Sequence, residues 1–217
     1  MAGYHTVAQG EHLSSIAHSL GFSDYETIWN HPNNSSLKSQ RQNPNVLFPG
    51  DQLYIPDLEH KDYSRPTDQQ HKFVAKKPTL KLRLTLEDQY EKPIANAACS
   101  ITVDGDTRQA TSDGTGKVEL PIPPSAQSAV LVIQDNQQTP YGGITIPIKI
   151  GHLDPVDQVT GQQGRLNGLG YFSGDIDGNP NPDFESAVEE FQCDQGLTVD
   201  GICGPVTQAK LKQVYGC

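Results

Sequence analysis

The stretch GLTVDGICGPVTQAKLKQV, residues 196–214, decides how the last third of the chain folds. Its Asp200-Gly201 pair predicts a turn, and Pro205 suits the first position of a following helix, where the missing N–H costs no hydrogen bond. The same order stands 23 residues earlier, where Asp177-Gly178 precedes Pro182. The sequence therefore predicts two successive turn-and-helix repeats.

Apolar residues extend this pattern to three helices. Ala187, Val188 and Phe191 share one face of the first repeat's helix, and Ala209, Leu211 and Val214 do so less regularly in the second. A preceding helix carries Val159, Leu166 and Leu169 and ends before Gly170. Residues 155–217 are therefore predicted to form a three-helix bundle.

The segments RLNGLGY (165–171), AVEEFQ (187–192) and GLTVDGICGPVT (196–207) resemble a peptidoglycan-binding module of the three-helix kind that is often appended to cell-wall hydrolases. The resemblance implies a peptidoglycan ligand and places its contacts at Asp200, Gly201, Gly204 and Pro205. The chain departs from the family at residues 179–182, where Asn-Pro-Asn-Pro replaces a glycine-rich turn.

Residues 3–56 follow a different order. A short strand at 4–7 precedes a helix with Leu13 and Ile16 on its apolar face, and a second helix at 25–30 ends before Pro32. A polar stretch from His31 to Gln42 is interpreted as a long loop, and a strand at 52–56 closes the unit. The predicted order is strand, helix, helix, strand.

The segments YHTV (4–7), QGEHLSSIA (9–17), NPN (43–45) and FPGDQLYIP (48–56) resemble a LysM module. The resemblance implies a βααβ fold and binding of N-acetylglucosamine-containing polymers, peptidoglycan or chitin. The family's shallow sugar groove lies between the turn after the first strand and the loop before the last. The implied glycan-binding residues are Gly10, Glu11, His12, Leu13, Asn45, Val46 and Leu47.

Two departures from the LysM pattern matter. Gly10-Glu11-His12 replaces the usual Gly-Asp-Thr, so an imidazole stands where a hydroxyl could cap the helix. The long stretch from His31 to Gln42 is similar to LysM modules of proteins that accompany contractile injection machines such as type VI secretion.

Between these two units the sequence changes twice. Residues 57–78 are charged, hold two prolines and lack periodicity, which is typical of a linker. From Leu80 to Ile150 about six short alternating segments predict a small antiparallel β-sandwich that resembles immunoglobulin-like or carboxypeptidase-regulatory-like domains. The predicted fold is thus multidomain α+β, with a LysM unit (1–56), a linker (57–78), an Ig-like sandwich (79–154) and a three-helix domain (155–217).

Charge excludes one class of partner. The net charge is −10, of which 155–217 carries −6 from 3 basic and 9 acidic residues. No segment offers the basic stripe that nucleic-acid binding requires, and an anionic membrane surface is disfavoured for the same reason.

The chain's hydropathy bears on where it acts. Its mean hydropathy is −0.54, and no apolar run approaches the roughly 20 residues that span a bilayer, so no membrane insertion is expected. No signal peptide follows Met1, so we expect a cytoplasmic protein that a secretion machine exports to the periplasm or cell envelope.

The sequence carries no recognisable catalytic or metal motif. It lacks HExxH, GxSxG and a CxxC pair, so we expect a non-enzyme without cofactor or metal. Cys193, Cys203 and Cys217 cluster near the end and leave a disulfide among them open, whereas Cys99 is expected to be a buried thiol.

Two functions fit these features. The first is a non-catalytic cell-wall protein whose two carbohydrate-binding modules gain avidity on a repeating polymer. The alternative is a structural adaptor of a type VI or related injection system, in which the LysM unit docks a secretion-machine or effector protein.

Overall fold

The computed structural model describes residues 2–59, 64–74, 80–88, 90, 92–134 and 141–217. These residues form helices together with antiparallel sheets, which confirms the predicted mixed class. The helices in this part of the chain are all too short or too polar to span a bilayer.

The first unit packs its helices against a two-stranded sheet. Its elements in chain order are β1 (Gly3–Thr6), α1 (Leu13–Ser19), α2 (Glu26–Trp29), a 3-10 helix (Pro32–Asn34), α3 (Ser35–Arg41) and β2 (Gln52–Ile55). Strands β1 and β2 pair antiparallel with Tyr4 opposite Tyr54. Leu13, Ile28 and Leu53 are fully buried and join α1, α2 and β2 in one core.

Helix α3 lies within the stretch that the sequence analysis interprets as a loop, and that interpretation is wrong for Ser35–Arg41. The reason is compositional. The helix reads SSLKSQR, and Leu37 is its one buried residue, so it carries no periodic apolar signal. The chain before it is anchored instead by Asn34, whose side chain is buried.

The middle unit is built from two antiparallel sheets. Its strands are β3 (Leu80–Thr85), β4 (Ala98–Val103), β5 (Asp106–Thr111), β6 (Lys117–Ile122), β7 (Ser128–Ile133) and β8 (Thr145–Lys149). One sheet pairs β3 with β6, and the other has the order β5-β4-β7-β8. Val118 from the first sheet and Ile101 and Leu131 from the second share one buried core, so the sheets pack as two layers.

Only part of the predicted linker lies within the described residues. Residues 57–59 and 64–74 contain no helix or strand. The remaining linker positions, 60–63 and 75–78, lie outside the described residues.

The last unit contains α4 (Val159–Gly168), α5 (Pro182–Asp194) and α6 (Pro205–Tyr215). Pro182 and Pro205 each occupy the first helical position, as the repeat predicts. Asn181 caps α5, because its side-chain oxygen accepts a hydrogen bond from the Phe184 N–H at 2.9 Å. Leu166, Phe191 and Leu211, one from each helix, are fully buried in a common core.

All four cysteines are free thiols, and Cys99 is buried as the sequence predicts. Burial raises the pKa of Cys203 to about 11, despite the opposing charge of Arg165. A thiol with so high a pKa is almost wholly protonated at neutral pH and a poor nucleophile.

Asn34 allows a stability test of the first unit. Its Nδ2 donates to the carbonyls of Ile28 and Tyr54 at 2.8 Å, and its Oδ1 accepts from the Tyr54 N–H at 2.7 Å. Asn34→Ala leaves these backbone groups unpaired and should lower the free energy of unfolding by about 2 kcal/mol. Urea unfolding followed by fluorescence of Trp29, the one tryptophan and a buried core residue of this unit, measures the loss. The exposed neighbour is the control: Asn33→Ala should change stability by less than about 0.5 kcal/mol.

Candidate functional site

The predicted glycan-binding turn begins at Gly10, whose φ of 86° is left-handed. The next residue, Glu11, accepts hydrogen bonds from the Ala8 N–H at 2.9 Å and pairs with the His5 ring at 2.7 Å. The Leu13 N–H donates to the Pro44 carbonyl at 3.1 Å. The turn is therefore held from both sides, and the loop before β2 lies directly against it.

His12 caps helix α1 in place of the hydroxyl that the LysM pattern would supply. Its Nδ1 accepts from the Ser15 N–H at 3.3 Å, and the Ser15 hydroxyl accepts from the His12 N–H at 3.1 Å. These two bonds form a reciprocal capping box. An imidazole nitrogen thus performs the role of the missing oxygen.

The structure separates the seven predicted glycan-binding residues into two groups. Leu13 and Leu47 belong to the hydrophobic core, and the His12 and Val46 side chains are also buried. Gly10, Glu11 and Asn45 retain exposed surface. Asn45 Oδ1 already accepts from the Ser14 hydroxyl at 3.0 Å.

Burial also sets the electrostatics of His12. Only 3% of the residue is exposed, and this desolvation lowers the pKa of its imidazole, while the Asn45 side chain acts in the opposite direction. Its Nε2 makes no hydrogen bond with any described residue. A buried polar atom without a partner is costly, so this position is under energetic strain.

A cleft of about 450 Å³ opens beside the turn, between the first and middle units. Glu11, Ser15 and His18 line one side, and Gln127 and His152 line the other. Its lining is polar and offers hydrogen-bond donors and acceptors of the kind that sugars bind.

The predicted contacts of the second module lie at the turn before α6, where each has a structural role. Gly201 has a φ of 68°, Gly204 is the N-cap of α6, and Pro205 is its first residue. Asp200 Oδ1 accepts from the Ile202 N–H at 2.9 Å, and this bond is the largest cause of a lowered pKa for its carboxyl group. These residues shape the turn.

Gln192 on α5 holds this turn, a role that the sequence analysis missed. Its Oε1 accepts from the Asp200 and Gly201 N–H groups at 2.9 and 3.1 Å. Its Nε2 lies 2.8 Å from Asp200 Oδ1 and 3.0 Å from the Ile202 carbonyl oxygen. Only 1% of Gln192 is exposed.

Gln163 on α4 holds the first turn in the same way. Its Oε1 accepts from the Gly178 N–H at 2.9 Å, and its Nε2 donates to the Asn179 carbonyl at 3.1 Å. This turn contains Asp177, which corresponds to Asp200 of the second turn and accepts a hydrogen bond from the Asn179 N–H at 2.9 Å. The two repeats thus share one device, a buried glutamine that binds the backbone of an Asp-Gly turn. The sequence signal for both glutamines is a polar residue on an otherwise apolar helix face.

Arg165 is the third residue that the sequence analysis missed. Its guanidinium is buried and donates to the carbonyls of Asp154, Gly161 and Cys217 at 2.8, 2.7 and 2.9 Å. Desolvation lowers its pKa, although nearby groups, the largest being Cys217, oppose the shift. Arg165 thereby fixes the chain on both sides of α4.

Apolar side chains surround the second turn on its solvent side. Val199, Ile202 and Val206 are each more than half exposed. Nowhere in the described ranges do three or more His, Cys, Asp or Glu side chains meet as a metal site would require. The turn before α6 therefore presents a rigid backbone with an apolar rim.

The lowered pKa of His12 predicts a pH-dependent stability. An unfolded histidine titrates near pH 6.5, above the pKa of the folded imidazole, so the unfolded chain takes up its proton first as the pH falls. The stability that neutral His12 contributes is complete above pH 6.5 and decreases below it. Trp29 fluorescence during urea unfolding at several pH values measures this.

The matched variant is His12→Asn, which keeps a side-chain cap but cannot titrate. Its free energy of unfolding should fall less between pH 7 and pH 5 than that of the unaltered chain. Equal slopes for both proteins would contradict the assignment to His12.

Gln192 gives a second stability test, now in the last unit. Gln192→Leu keeps the volume but leaves the backbone N–H groups of Asp200 and Gly201 without their acceptor, so we expect a loss of about 3 kcal/mol. Calorimetry of the full chain should show a lower transition temperature for this unit. Gln213→Leu, at an exposed position of α6, should leave the transition unchanged.

Comparison with known proteins gives a match for the last unit of the chain. Residues 156–211 match the family described as "Putative peptidoglycan binding domain". This match confirms the resemblance drawn from the segments between residues 165 and 207. No solved structure is similar enough to match the chain.

Two curated relatives each match one segment of the chain. N-acetylmuramoyl-L-alanine amidase CwlM of Mycobacterium tuberculosis is 40% identical over 55 residues, which cover 25% of this chain and 14% of the amidase. The "Uncharacterized protein in bpoA1 3'region" of Kitasatospora aureofaciens is 46% identical over 59 residues, 27% of this chain and 50% of that protein. The chain therefore spans half or less of each relative. The family match shows that the chain carries a peptidoglycan-binding domain at residues 156–211.

Proposed function

We propose that this protein binds bacterial peptidoglycan without cleaving it, through its last unit and with its first unit as a second glycan-binding module. The observation that carries the proposal is the peptidoglycan-binding domain at residues 156–211. Cell-wall binding follows from that domain. The proposal extends this to an absence of catalysis and to glycan binding by the first unit.

The turn before α6 is the proposed contact of the last unit. Gln192 and Asp200 hold its backbone, so little conformational freedom is lost when a ligand binds. Val199, Ile202 and Val206 offer apolar surface for the methyl groups of peptidoglycan's acetamido and alanyl groups. Binding to such groups does not require a basic surface, which suits the acidic charge of this unit.

The first unit would contribute a second contact. The LysM resemblance of residues 3–56 and the partly exposed polar residues Glu11 and Asn45 beside Gly10 support binding of N-acetylglucosamine. Two modest sites on one chain bind a repeating polymer more tightly than either alone, because the second contact becomes intramolecular.

A non-catalytic role is consistent with the small share of the amidase that this chain matches. The matching segment is 14% of CwlM, so the name of that enzyme carries no activity to this chain. We therefore treat the shared segment as a binding unit.

The adaptor hypothesis has one observation in its favour. The face of the first unit that includes Gly10 and His12 contacts protein, namely residues 151 and 152 of the same chain. This face can therefore accept a polypeptide, which a docking role in an injection machine would require.

Co-sedimentation of the full chain with purified peptidoglycan sacculi tests the proposal. We expect the unaltered protein to pellet and Val206→Ser to pellet several-fold less, because an exposed apolar contact beside the turn is removed. Val214→Ser is the control, since Val214 is exposed on the same helix but lies in its last turns. Wall binding is ruled out if the unaltered chain stays in the supernatant.

The same supernatants test for cleavage. We expect no soluble muropeptides and no new amino termini after prolonged incubation. Release of either at a rate proportional to protein concentration would show that the chain is an enzyme.

A further inference from the structure

Residues 151–157, which we call the strap, lie between strand β8 and helix α4 and cross the first unit. One end of the strap meets the Gly10–Leu13 turn, and the other meets Arg41 at the end of α3. These two points flank the face on which the sequence analysis placed the sugar groove.

The first end of the strap is a contact between two glycines. A Cβ atom on Gly151 would overlap the Gly10 carbonyl oxygen and would lie 2.9 Å from Cδ2 of His12. A Cβ atom on Gly10 would lie 2.9 Å from Nε2 of His152. The Gly151 backbone can therefore approach the Gly10 carbonyl this closely because Gly151 has no side chain.

The other end of the strap rests on an ion pair. Asp157 Oδ2 lies 3.5 Å from Nη1 of Arg41, whose remaining guanidinium nitrogens donate to Asp51 at 2.8 Å. A hollow of about 150 Å³ between them is lined by Val46 from the first unit and by Pro155 from the strap.

The docked strap leaves one buried nitrogen without a hydrogen bond at each of its ends. Among the described residues, three buried side-chain N or O atoms make no hydrogen bond, and His12 Nε2 and Arg41 Nη1 are two of them. His12 Nε2 is bonded to the carbon that Gly151 covers, and Arg41 Nη1 faces Asp157. If the strap leaves, water or a ligand hydroxyl can reach and hydrogen-bond each atom, and Arg41 Nη1 exchanges its 3.5 Å ion pair with Asp157 for such a partner.

The strap itself is fixed to the last unit. Arg165 donates to the Asp154 carbonyl at 2.8 Å, and a Cβ atom on Gly161 would overlap the Pro155 carbonyl. Asp154 and Pro155 are buried. The strap is therefore packed against α4 of the last unit, and a separation would fall between the strap and the first unit, which is joined covalently to the rest only through residues 57–79.

We propose that the strap is an internal competitor of glycan: while docked it covers the ligand face of the first unit, and this unit binds N-acetylglucosamine polymers once the strap has left. The proposal rests on the proposed glycan binding of the first unit. It makes the affinity of that unit depend on the fraction of molecules in which the strap is released.

The test compares two glycine variants of the full chain. Gly151→Ala places a methyl group against the Gly10 carbonyl and should release the strap. Gly143→Ala is the matched control, because Gly143 has a similar φ, 82° against 79°, and nothing within 4 Å of an added Cβ. Titration calorimetry with the N-acetylglucosamine hexamer, which lacks peptide stems, should show at least tenfold tighter binding for Gly151→Ala and no change for Gly143→Ala.

A second variant acts without a steric clash. Asp157→Asn removes the ion pair with Arg41 at an exposed position and should tighten hexamer binding by two- to threefold. Far-UV circular dichroism confirms that each variant is folded, and the NMR chemical shifts of the amides of residues 10–13, which the strap contacts, report its release.

Equal hexamer affinity of the unaltered chain and both strap variants would overturn the proposal. It is also overturned if the amide chemical shifts of residues 10–13 change in Gly151→Ala while the hexamer still does not bind. Binding to sacculi distinguishes the strap proposal from the proposed wall-binding function of the last unit. Loss of pelleting by every protein contradicts the wall-binding role of the last unit, whereas unchanged pelleting with equal hexamer affinities contradicts the strap alone.

Discussion

The buried guanidinium of Arg165 is the constraint on which the arrangement of the units depends. A charge removed from water is tolerated only when its N–H groups have partners, and here the partners are backbone carbonyls. These carbonyls belong to the strap, to α4 and to Cys217 after α6. One side chain therefore fixes three separate parts of the chain, and the position of the strap follows from it.

The two Asp-Gly turns show a second use of buried polar groups. Gln163 and Gln192 each bind a turn that helix packing alone would leave free to move, since turn residues bury little apolar surface. Because every amide hydrogen bond of these glutamines is directional, each turn has a single geometry. A ligand surface built on such turns is rigid before the ligand arrives, which reduces the entropy lost on binding.

The sequence predicts those parts of the fold that local chemistry determines. Asp200-Gly201 and Pro205 specify a turn and a helix start within a few residues, and alternation in the middle unit specifies strands. Helix α3 escapes prediction because it has a single buried residue, Leu37. The roles of Gln192 and Arg165 escape it because they depend on partners brought together only by the fold, and the contact of Gly10 with Gly151 depends on two units far apart in sequence.

The contact of the strap with the first unit differs from the other buried polar contacts of this chain. The side-chain amides of Gln163, Gln192 and Asn34 form hydrogen bonds through both their oxygen and their nitrogen, whereas His12 Nε2 and Arg41 Nη1 are buried without a hydrogen bond. An interface that leaves such atoms unpaired is weaker than its area implies, because their lost hydration opposes the apolar contacts around Val46. Weakness of this kind suits a contact that must open. Under the proposed competition, the docked strap leaves the chain with one binding module, and the avidity of two modules becomes available only as the first unit separates from the strap.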